Sequence, residues 1–419
     1  MNIRVKDSQL RIAVVGGGIV GTCCALCLQL DGNNVTIIDQ NGPGTGCSSG
    51  NAGQIVTSYC VPLGLPGIIK QVPRMLMDPL GPLTIRWQYL PYLMPWLLRF
   101  VQSSSVERVD RIADALYELN KDAVKTFDPL IKLAKAEHLL VAKGRLDVYQ
   151  SGHEFDKAQY KFNLLRNRGV RVELLNSKQI TELEPELNEK CQYGAFCPDV
   201  VHTTNPLQLT QLLAKAFQEN GGSILREKVN DFQLKSTGVP SIKTNISDHT
   251  FDKIVIAAGA FSRPFAAKLG NKVPLDTERG YHVMLPHSGI HLNRTIVHGD
   301  RYFGMTPMQE GLRLAGTVEL ASVNASPNYA RADNLLNAAK GVLPSLSDKG
   351  ATQWMGCRPS MPDSLPVISQ SPVHESVFFA FGHGHLGLTA AATTGKIITD
   401  LIAERPPHIN INPFKIDRF

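Results

Sequence analysis

The sequence predicts an α/β fold in which a doubly wound parallel sheet is interleaved with a smaller α+β domain. Three observations predict this fold. Residues 11–39 contain a strand, a glycine-rich turn, a helix and a second strand, which together form one βαβ unit. Two further buried strands, at 251–259 and 377–381, lie far along the chain. Strand-like segments dominate residues 273–320, so we expect a second sheet between the pieces of the first.

The opening βαβ unit shows the composition of a buried parallel sheet. Residues 11–15 and 34–38 are short, nearly continuous apolar runs, which are typical of strands covered on both faces. Between them, residues 22–30 form a run of small and apolar residues that predicts a helix, closed by Asp31-Gly32. The second strand ends in the acidic residue Asp39.

The turn between the first strand and the helix has the spacing Gly16-x-Gly18-x-x-Gly21. The first glycine allows a tight turn, the second lets backbone approach a pyrophosphate, and the third lets helix and strand pack closely. The helix N-terminus offers unpaired N–H groups to phosphates, and an acid after the next strand can bind ribose hydroxyls. The motif therefore predicts a dinucleotide site, with NAD and FAD both open, formed by Gly16, Gly18, Ile19, Val20, Gly21, Asp39 and Gln40.

The later segments extend both predicted domains. Asn205-Pro206 is a strong helix start, because an N-cap residue precedes Pro at the first helical position. The other predicted helices cover residues 103–135, 331–342 and 388–403, and Ser177 is expected to cap a short helix that ends at Glu184-Pro185. We assign residues 1–60, 191–265 and 351–419 to the nucleotide-binding domain, and residues 61–190 and 266–350 to the second domain.

Composition excludes several classes of function. The net charge of +6 comes from scattered Lys and Arg residues, so no basic arm for nucleic acid is expected. The cysteines are also scattered, and Cys24-x-x-Cys27 has no second pair to complete a zinc site, so no metal is expected. The polar residues 1–10 lack the apolar region of a signal peptide. We therefore expect the protein in the cytoplasm.

Residues 83–100 are apolar and aromatic, and they hold two of the three Trp residues of the chain. Arg86, Gln88, Pro91, Pro95 and Arg99 interrupt this stretch, so it does not match a membrane-spanning helix. Two interpretations remain open. The stretch is either a buried or partner-facing helix, or a patch that contacts the inner face of the cell membrane peripherally.

Further segments carry a family resemblance. They are Ser48-Ser-Gly-Asn-Ala-Gly-Gln-Ile55, Trp354-x-Gly-x-Arg358-Pro359, Pro362-Asp-x-x-Pro-Val-Ile368 and Gly382-His-Gly-His-Leu-Gly-Leu-Thr389. With them the sequence resembles the D-amino-acid oxidase superfamily of FAD-dependent enzymes, and it is most similar to bacterial D-amino-acid dehydrogenases. The resemblance implies FAD as the cofactor. It also implies a Rossmann-like FAD-binding domain interleaved with a substrate domain built on an antiparallel or mixed sheet.

The resemblance also implies the residues of the site. Arg358 is expected to clamp a substrate carboxylate, since a guanidinium binds a carboxylate with two parallel hydrogen bonds. Tyr281, His282 and His385 are the other candidate catalytic residues, and Tyr302 and Met305 are weaker candidates for the pocket lining. The remaining expected FAD contacts are Cys47, Ser48, Ser49, Asn51, Ala52, Gly53, Gln54, Val229, Ala258, Gly259, Arg358, Gly384, His385, Leu386, Gly387, Leu388 and Thr389.

The implied activity is oxidative deamination of a D-amino acid. Hydride leaves Cα for flavin N5, the resulting imine is hydrolysed to an oxo acid and ammonia, and a quinone or another respiratory acceptor takes the electrons. The segment Glu278-Arg-Gly-Tyr-His282 and the residue His385 depart from the pattern of broad-specificity enzymes. Glycine, D-proline and hydroxyproline therefore remain open as substrates. The alternatives are an O₂-using amino acid oxidase of the glycine or sarcosine type, an NAD-dependent dehydrogenase, and a non-catalytic FAD- or NAD-binding subunit.

Overall fold

The computed structural model describes residues 9–57, 59–68, 83–234 and 240–419. The strands are β1 Arg11–Val15, β2 Asn34–Ile38, β3 Gln54–Ile55, β4 Leu83–Ile85, β5 Leu140–Val141, β6 Arg145–Tyr149, β7 Glu173–Asn176, β8 Tyr193–Cys197, β9 Val201–Thr203, β10 Ser223–Leu225, β11 Val229–Gln233, β12 Ser241–Thr244, β13 Asp248–Thr250, β14 Lys253–Ile256, β15 Asp276–Leu285, β16 Thr295–His298, β17 Phe303–Met308, β18 Gly311–Leu320, β19 Thr352–Ser360, β20 Val367–Gln370 and β21 Val377–Phe381. The α-helices are α1 Ile19–Leu30, α2 Leu90–Ser103, α3 Val106–Asn120, α4 Ala123–Leu133, α5 Gly152–Arg166, α6 Ser177–Leu183, α7 Pro206–Glu219, α8 Ser262–Lys268, α9 Ala330–Lys340 and α10 Gly387–Ile402.

One sheet has the strand order β10-β2-β1-β14-β21-β20. Its first five strands are parallel, and β20 pairs antiparallel with β21 at the edge. The strands come from three separate parts of the chain, and the central strands β1, β14 and β21 are almost entirely buried. Helices α1 and α10 pack so closely on one face that a Cβ on Gly395 would lie 2.8 Å from the Cys23 carbonyl oxygen.

The second sheet is larger and mixed, with the order β19-β15-β18-β17-β16-β6-β8-β7, and β4 also pairs with β18. One face packs against helix α9 and forms a separate apolar core that includes Val283, Leu314 and Leu335. The opposite face carries Arg358 and is called the inner face below. The predicted α/β fold, with a Rossmann-like domain interleaved with a domain on a mixed sheet, is confirmed.

The structure differs from the sequence prediction in three places. Strands β8 and β19 were assigned to the nucleotide-binding domain, but they pair with β6, β7 and β15 in the mixed sheet. Which sheet a strand joins depends on the strands it pairs with, and these are distant in the sequence, so local composition does not reveal it. The helix predicted over 103–135 is instead two helices, α3 and α4, because Asp122 leaves the helical conformation at φ −109° and ψ 19°. Ser177, the expected cap of a short helix, is the first residue of α6, and the cap is instead Asn176, which forms a capping box with Gln179.

The aromatic stretch 83–100 folds as β4, a short 3₁₀ turn and most of α2. Leu93 and Trp96 are buried against the protein, whereas Trp87 is 70% exposed and Tyr92 is 75% exposed. Within the described residues, no helix combines the length and the apolar character that a membrane-spanning segment needs. The stretch is therefore half core and half exposed aromatic surface.

Candidate functional site

The predicted cofactor residues gather at one edge of the parallel sheet. Parallel strands end at the same edge, and such an edge is where doubly wound sheets bind ligands. Strand β1 leads into the glycine turn, β2 into Asp39 and the exposed Gln40, β14 into Ala258 and Gly259, and β21 into residues 382–389. Val229 begins β11, four residues after β10 ends.

The backbone geometry of the turn explains why glycine occupies positions 16 and 21. Gly16 has φ +107°, and a Cβ there would lie 2.5 Å from the Ala257 carbonyl oxygen. A Cβ on Gly21 would lie 2.0 Å from the Gly16 carbonyl oxygen, so only glycine lets α1 approach β1 this closely. A Cβ on Gly18 would lie 3.3 Å from the Ser48 hydroxyl oxygen, a tight contact, and would meet no other described atom within 4 Å.

The N-terminus of α1 and the end of β2 complete a cradle for a pyrophosphate and a ribose. Gly18 is the N-cap of α1 and has no side chain to cap it, and neighbouring Ile19 and Val20 begin the helix. Asp39 accepts a hydrogen bond from the Gly17 N–H at 2.8 Å and further bonds from Asn41 and Gly42. The geometry therefore fits a dinucleotide, with its phosphates at the helix N-terminus.

Residues 46–54 form a loop, called the cofactor loop below, that is held between the two domains. Ser48 accepts a hydrogen bond from the Ile19 N–H at 2.9 Å, and Thr389 of α10 donates to the Gln54 carbonyl. Within the loop, Asn51 donates to the Ser48 carbonyl and accepts from the Gly53 N–H. The loop is thereby fixed to the glycine turn on one side and to the segment after β21 on the other.

The inner face of the mixed sheet holds the other side of the cofactor loop. Arg313 donates hydrogen bonds to the carbonyls of Ser49 and Asn51, at 3.0 and 2.8 Å, and Thr306 donates to the Ala52 carbonyl. The His282 ring donates from Nδ1 to the Gly50 carbonyl at 3.0 Å. Arg313 and Thr306 are functional contacts that the sequence prediction missed. The sequence alone does not identify them, because their position facing the loop follows from the register of the strands, which only the paired sheet reveals.

Arg358 lies on the inner face, directly over Gly280 of the neighbouring strand. A Cβ on Gly280 would lie 2.1 Å from the Arg358 Cζ, so only glycine lets the guanidinium occupy this position. The β-bulge between β15 and β18 places Thr317 at φ +55°, and its carbonyl accepts from Arg358 Nη1 at 3.1 Å. In the described part of the chain, no carboxylate lies within ion-pair distance of Arg358. The cation is therefore available for an anionic ligand.

A buried carboxylate stands next to Arg358. Glu278 is the direct strand partner of Arg358, and its Oε1 accepts a hydrogen bond from the Ser360 hydroxyl at 2.6 Å. Its Oε2 lies 3.7 Å from Nδ1 of His385. Burial raises the pKa of Glu278, while Ser360 and Arg358 oppose that shift. Glu278, Ser360 and the Thr317 carbonyl were not among the predicted site residues.

His385 and Cys47 are close enough to Arg358 to feel its charge, and the space beside these three side chains is called the hollow below. The His385 side chain is 39% exposed and sits in the short turn Gly384–Leu386 that leads into α10. Burial and the nearby Arg358 charge lower the pKa of His385 to about 3, so the ring is neutral around pH 7. Burial raises the pKa of Cys47 to about 11, which keeps it a thiol. Gly387, Leu388 and Thr389 form the first turn of α10 beside this hollow.

The structure does not bring every predicted catalytic residue to this hollow. Tyr281 points to the opposite face of the sheet, is 1% exposed, and donates its hydroxyl hydrogen to Glu319. Tyr281 is therefore a core residue and does not have the predicted contact with substrate. Met305 is likewise buried in the core on that face, and Tyr302 lies on an exposed turn. His282 stacks on Trp354 at 4.9 Å and holds the cofactor loop.

Comparison with known proteins identifies the family. The family model described as FAD dependent oxidoreductase (DAO) matches residues 11–401, which is most of the chain. The chain belongs to the DAO family of FAD-dependent oxidoreductases. FAD is therefore the cofactor, and the predicted choice of FAD over NAD is confirmed.

Individual relatives span the whole length of the chain. A protein of Bradyrhizobium diazoefficiens named D-amino-acid oxidase is 35% identical, with 97% of this chain and 98% of the relative covered. D-amino acid dehydrogenase 2 of Mesorhizobium japonicum is 28% identical, with 96% and 98% covered. The crystal structure of glycine oxidase from Geobacillus kaustophilus superimposes with a TM-score of 0.74 at 21% identity, covering 98% of this chain and 100% of that one.

Proposed function

We propose that the protein catalyses the oxidative deamination of a D-amino acid. The observation that carries this proposal is Arg358, a guanidinium held flat over Gly280 with one backbone carbonyl as its hydrogen-bond partner among the described residues. A planar guanidinium in that position binds a carboxylate with two parallel hydrogen bonds. The names of the Bradyrhizobium and Mesorhizobium relatives support a D-amino acid as the carboxylate.

The site residues divide the work between cofactor and substrate. The glycine turn, the cofactor loop, Val229, Gly259 and the segment before α10 would hold FAD, which supplies a hydride acceptor when bound. Arg358 would hold the substrate carboxylate and so fix the direction of the Cα–H bond. Water would hydrolyse the released imine to an oxo acid and ammonia. The protein therefore contributes orientation more than bond-making chemistry.

We further propose a quinone or another respiratory carrier as the electron acceptor. The name of the Mesorhizobium relative supports a dehydrogenase, and the exposed Trp87 and Tyr92 offer an apolar surface for a carrier or a membrane. The name of the Bradyrhizobium relative favours the second candidate, an oxidase that passes electrons to O₂. The two candidates share the same reaction on the amino acid and differ only in the acceptor.

An anaerobic screen tests the reaction on the amino acid. The purified yellow protein is mixed under nitrogen with D-amino acids, L-amino acids, glycine, D-proline, both hydroxyproline epimers and sarcosine, and loss of flavin absorbance is recorded. Bleaching by D-amino acids supports the proposal, and bleaching by L-amino acids alone contradicts it. Reoxidation of the bleached protein by a soluble quinone without peroxide supports a dehydrogenase, whereas stoichiometric peroxide in air supports the oxidase.

A further inference from the structure

The buried carboxylate of Glu278 has one oxygen that the fold does not satisfy. Its Oε1 accepts from Ser360, but its Oε2 has no hydrogen-bond partner among the described residues, and the side chain is 5% exposed. Burying a carboxylate oxygen without a hydrogen-bond partner costs free energy, so such an oxygen usually interacts with a neighbouring group. The neighbour is His385, whose Nδ1 lies 3.7 Å from Oε2.

His385 is close to both Glu278 and Arg358, since its Nδ1 lies 3.7 Å from the Glu278 Oε2 and the Arg358 charge lowers its pKa. A carboxylate facing one ring nitrogen favours the tautomer that carries its proton there, which leaves the other nitrogen as an acceptor. Because Nδ1 is the ring nitrogen that lies 3.7 Å from Glu278, the free acceptor is Nε2. The His385 side chain is partly exposed and feels the Arg358 charge, which puts the ring close to a ligand bound at Arg358.

We propose that His385, oriented by Glu278, accepts the proton that the substrate ammonium group loses before its Cα–H bond is broken. The inference rests on the proposed function. In this step one N–H bond of the ammonium breaks, the proton forms a bond to Nε2 of His385, and the electron pair stays on the substrate nitrogen. Nothing is oxidised in the step, and the free amine then has the lone pair that hydride removal needs. Glu278 is a positioning residue, because it acts through His385.

The charges around His385 couple this proton transfer to substrate binding. Burial and, to a lesser degree, the Arg358 charge lower the pKa of His385 to about 3. Cys47 is a neutral thiol, and His383, buried beside Thr394, is a neutral imidazole with its pKa lowered to about 3. Arg358 and the Glu278 carboxyl, whose pKa burial raises, are therefore the other titratable groups that face the ring. A substrate carboxylate neutralises Arg358, which removes the smaller of the two causes of the low His385 pKa and leaves Glu278 as the acceptor that faces the imidazolium.

The test is the pH dependence of flavin reduction in Glu278→Gln, a variant that keeps the size and the bond from Ser360. The rate of anaerobic bleaching is measured between about pH 6 and pH 10 with the D-amino acid that bleaches the wild type fastest. We expect the bleaching rate near pH 7 to fall roughly 100-fold, which is the lower end of what a positioned base typically contributes. The loss should shrink as pH rises, because more substrate then binds as free amine. His385→Asn should show the same profile.

Two controls separate this role from a structural one. Glu375→Gln changes an exposed carboxylate and should keep the wild-type profile. Propionate, a carboxylate without an amine, should perturb the flavin spectrum of Glu278→Gln with a Kd within about threefold of the wild type, because Arg358 is intact.

The outcomes are distinct. A loss in Glu278→Gln that is equal at all pH values, or an unchanged rate, overturns the inference and leaves the proposed function standing. Loss of propionate binding in Glu278→Gln also overturns it, since Glu278 would then only support Arg358. A wild-type flavin that no amino acid bleaches overturns both the inference and the proposed function.

Discussion

At the scale of single residues, Arg358 is the group on which substrate binding should depend most. We predict that Arg358→Leu raises the KM for the amino acid by roughly 10- to 100-fold, because it removes charge-assisted hydrogen bonds to the carboxylate. Steady-state kinetics checks this prediction. Arg358→Lys should recover only part of the loss, because an ammonium cannot form two parallel bonds. An unchanged KM in Arg358→Leu would remove Arg358 from the substrate site.

Gly280→Ala provides a comparison in which the charge is kept. The added Cβ would lie 2.1 Å from the Arg358 Cζ, so the guanidinium must move away from the Thr317 carbonyl. We expect KM to rise while the protein still folds and binds FAD. A KM equal to that of the wild type would mean that the position of Arg358 over Gly280 is not needed for binding.

The residues at this site were predictable to different degrees. Arg358 and the glycines of the turn stand in short motifs whose chemistry can be inferred without a structure. Glu278 and Tyr281 could not be assigned, because every residue of β15 is buried and no alternation reveals which face each side chain takes. The register of β15 with β19 puts Glu278 beside Arg358 and directs Tyr281 to the other face.

At the scale of elements, the cofactor loop depends on the inner face of the mixed sheet. We predict that Arg313→Met weakens FAD binding by about tenfold or more, because the two loop carbonyls lose a charged donor. Burial lowers the pKa of Arg313 to about 10, so the donor is charged around pH 7. The measurement is the Kd for FAD of the apoprotein, by quenching of flavin fluorescence. Arg171→Met, at an exposed site, is the matched control, and equal affinities would contradict the prediction.

Elements with local signals were predicted well, and elements defined by distant partners were not. The helix after Asn205-Pro206 begins as expected, since Asn205 accepts from the Gln208 N–H at 3.0 Å. Residues 193–197 and 352–360 were assigned to the nucleotide-binding domain, but they form β8 and β19 of the mixed sheet. The site is built where the two sheets meet, so its second half could not be assembled from local sequence alone.

At the scale of the whole molecule, several buried histidines link stability to pH. Burial lowers the pKa of His202, His282 and His298 to about 4 and that of His383 to about 3. The ordinary value of 6.5 applies to the unfolded chain. The unfolded state therefore binds protons first as pH falls. The free energy of unfolding should be greatest above about pH 6.5 and should decline steadily towards pH 4.

The contribution of one histidine to that decline can be isolated at His202, which is buried in β9. Between pH 6.5 and pH 5 a group with its folded pKa near 4 loses about 2 kcal/mol of stabilisation, at 1.36 kcal/mol per pH unit. We predict that His202→Leu reduces the fall in unfolding free energy between pH 7 and pH 5 by about that amount. Urea unfolding at saturating FAD measures it, since bound cofactor would otherwise shift the midpoint. His153→Leu, at an exposed position, should leave the fall unchanged. A fall in His202→Leu as steep as in the wild type would mean that His202 is protonated in the folded protein too.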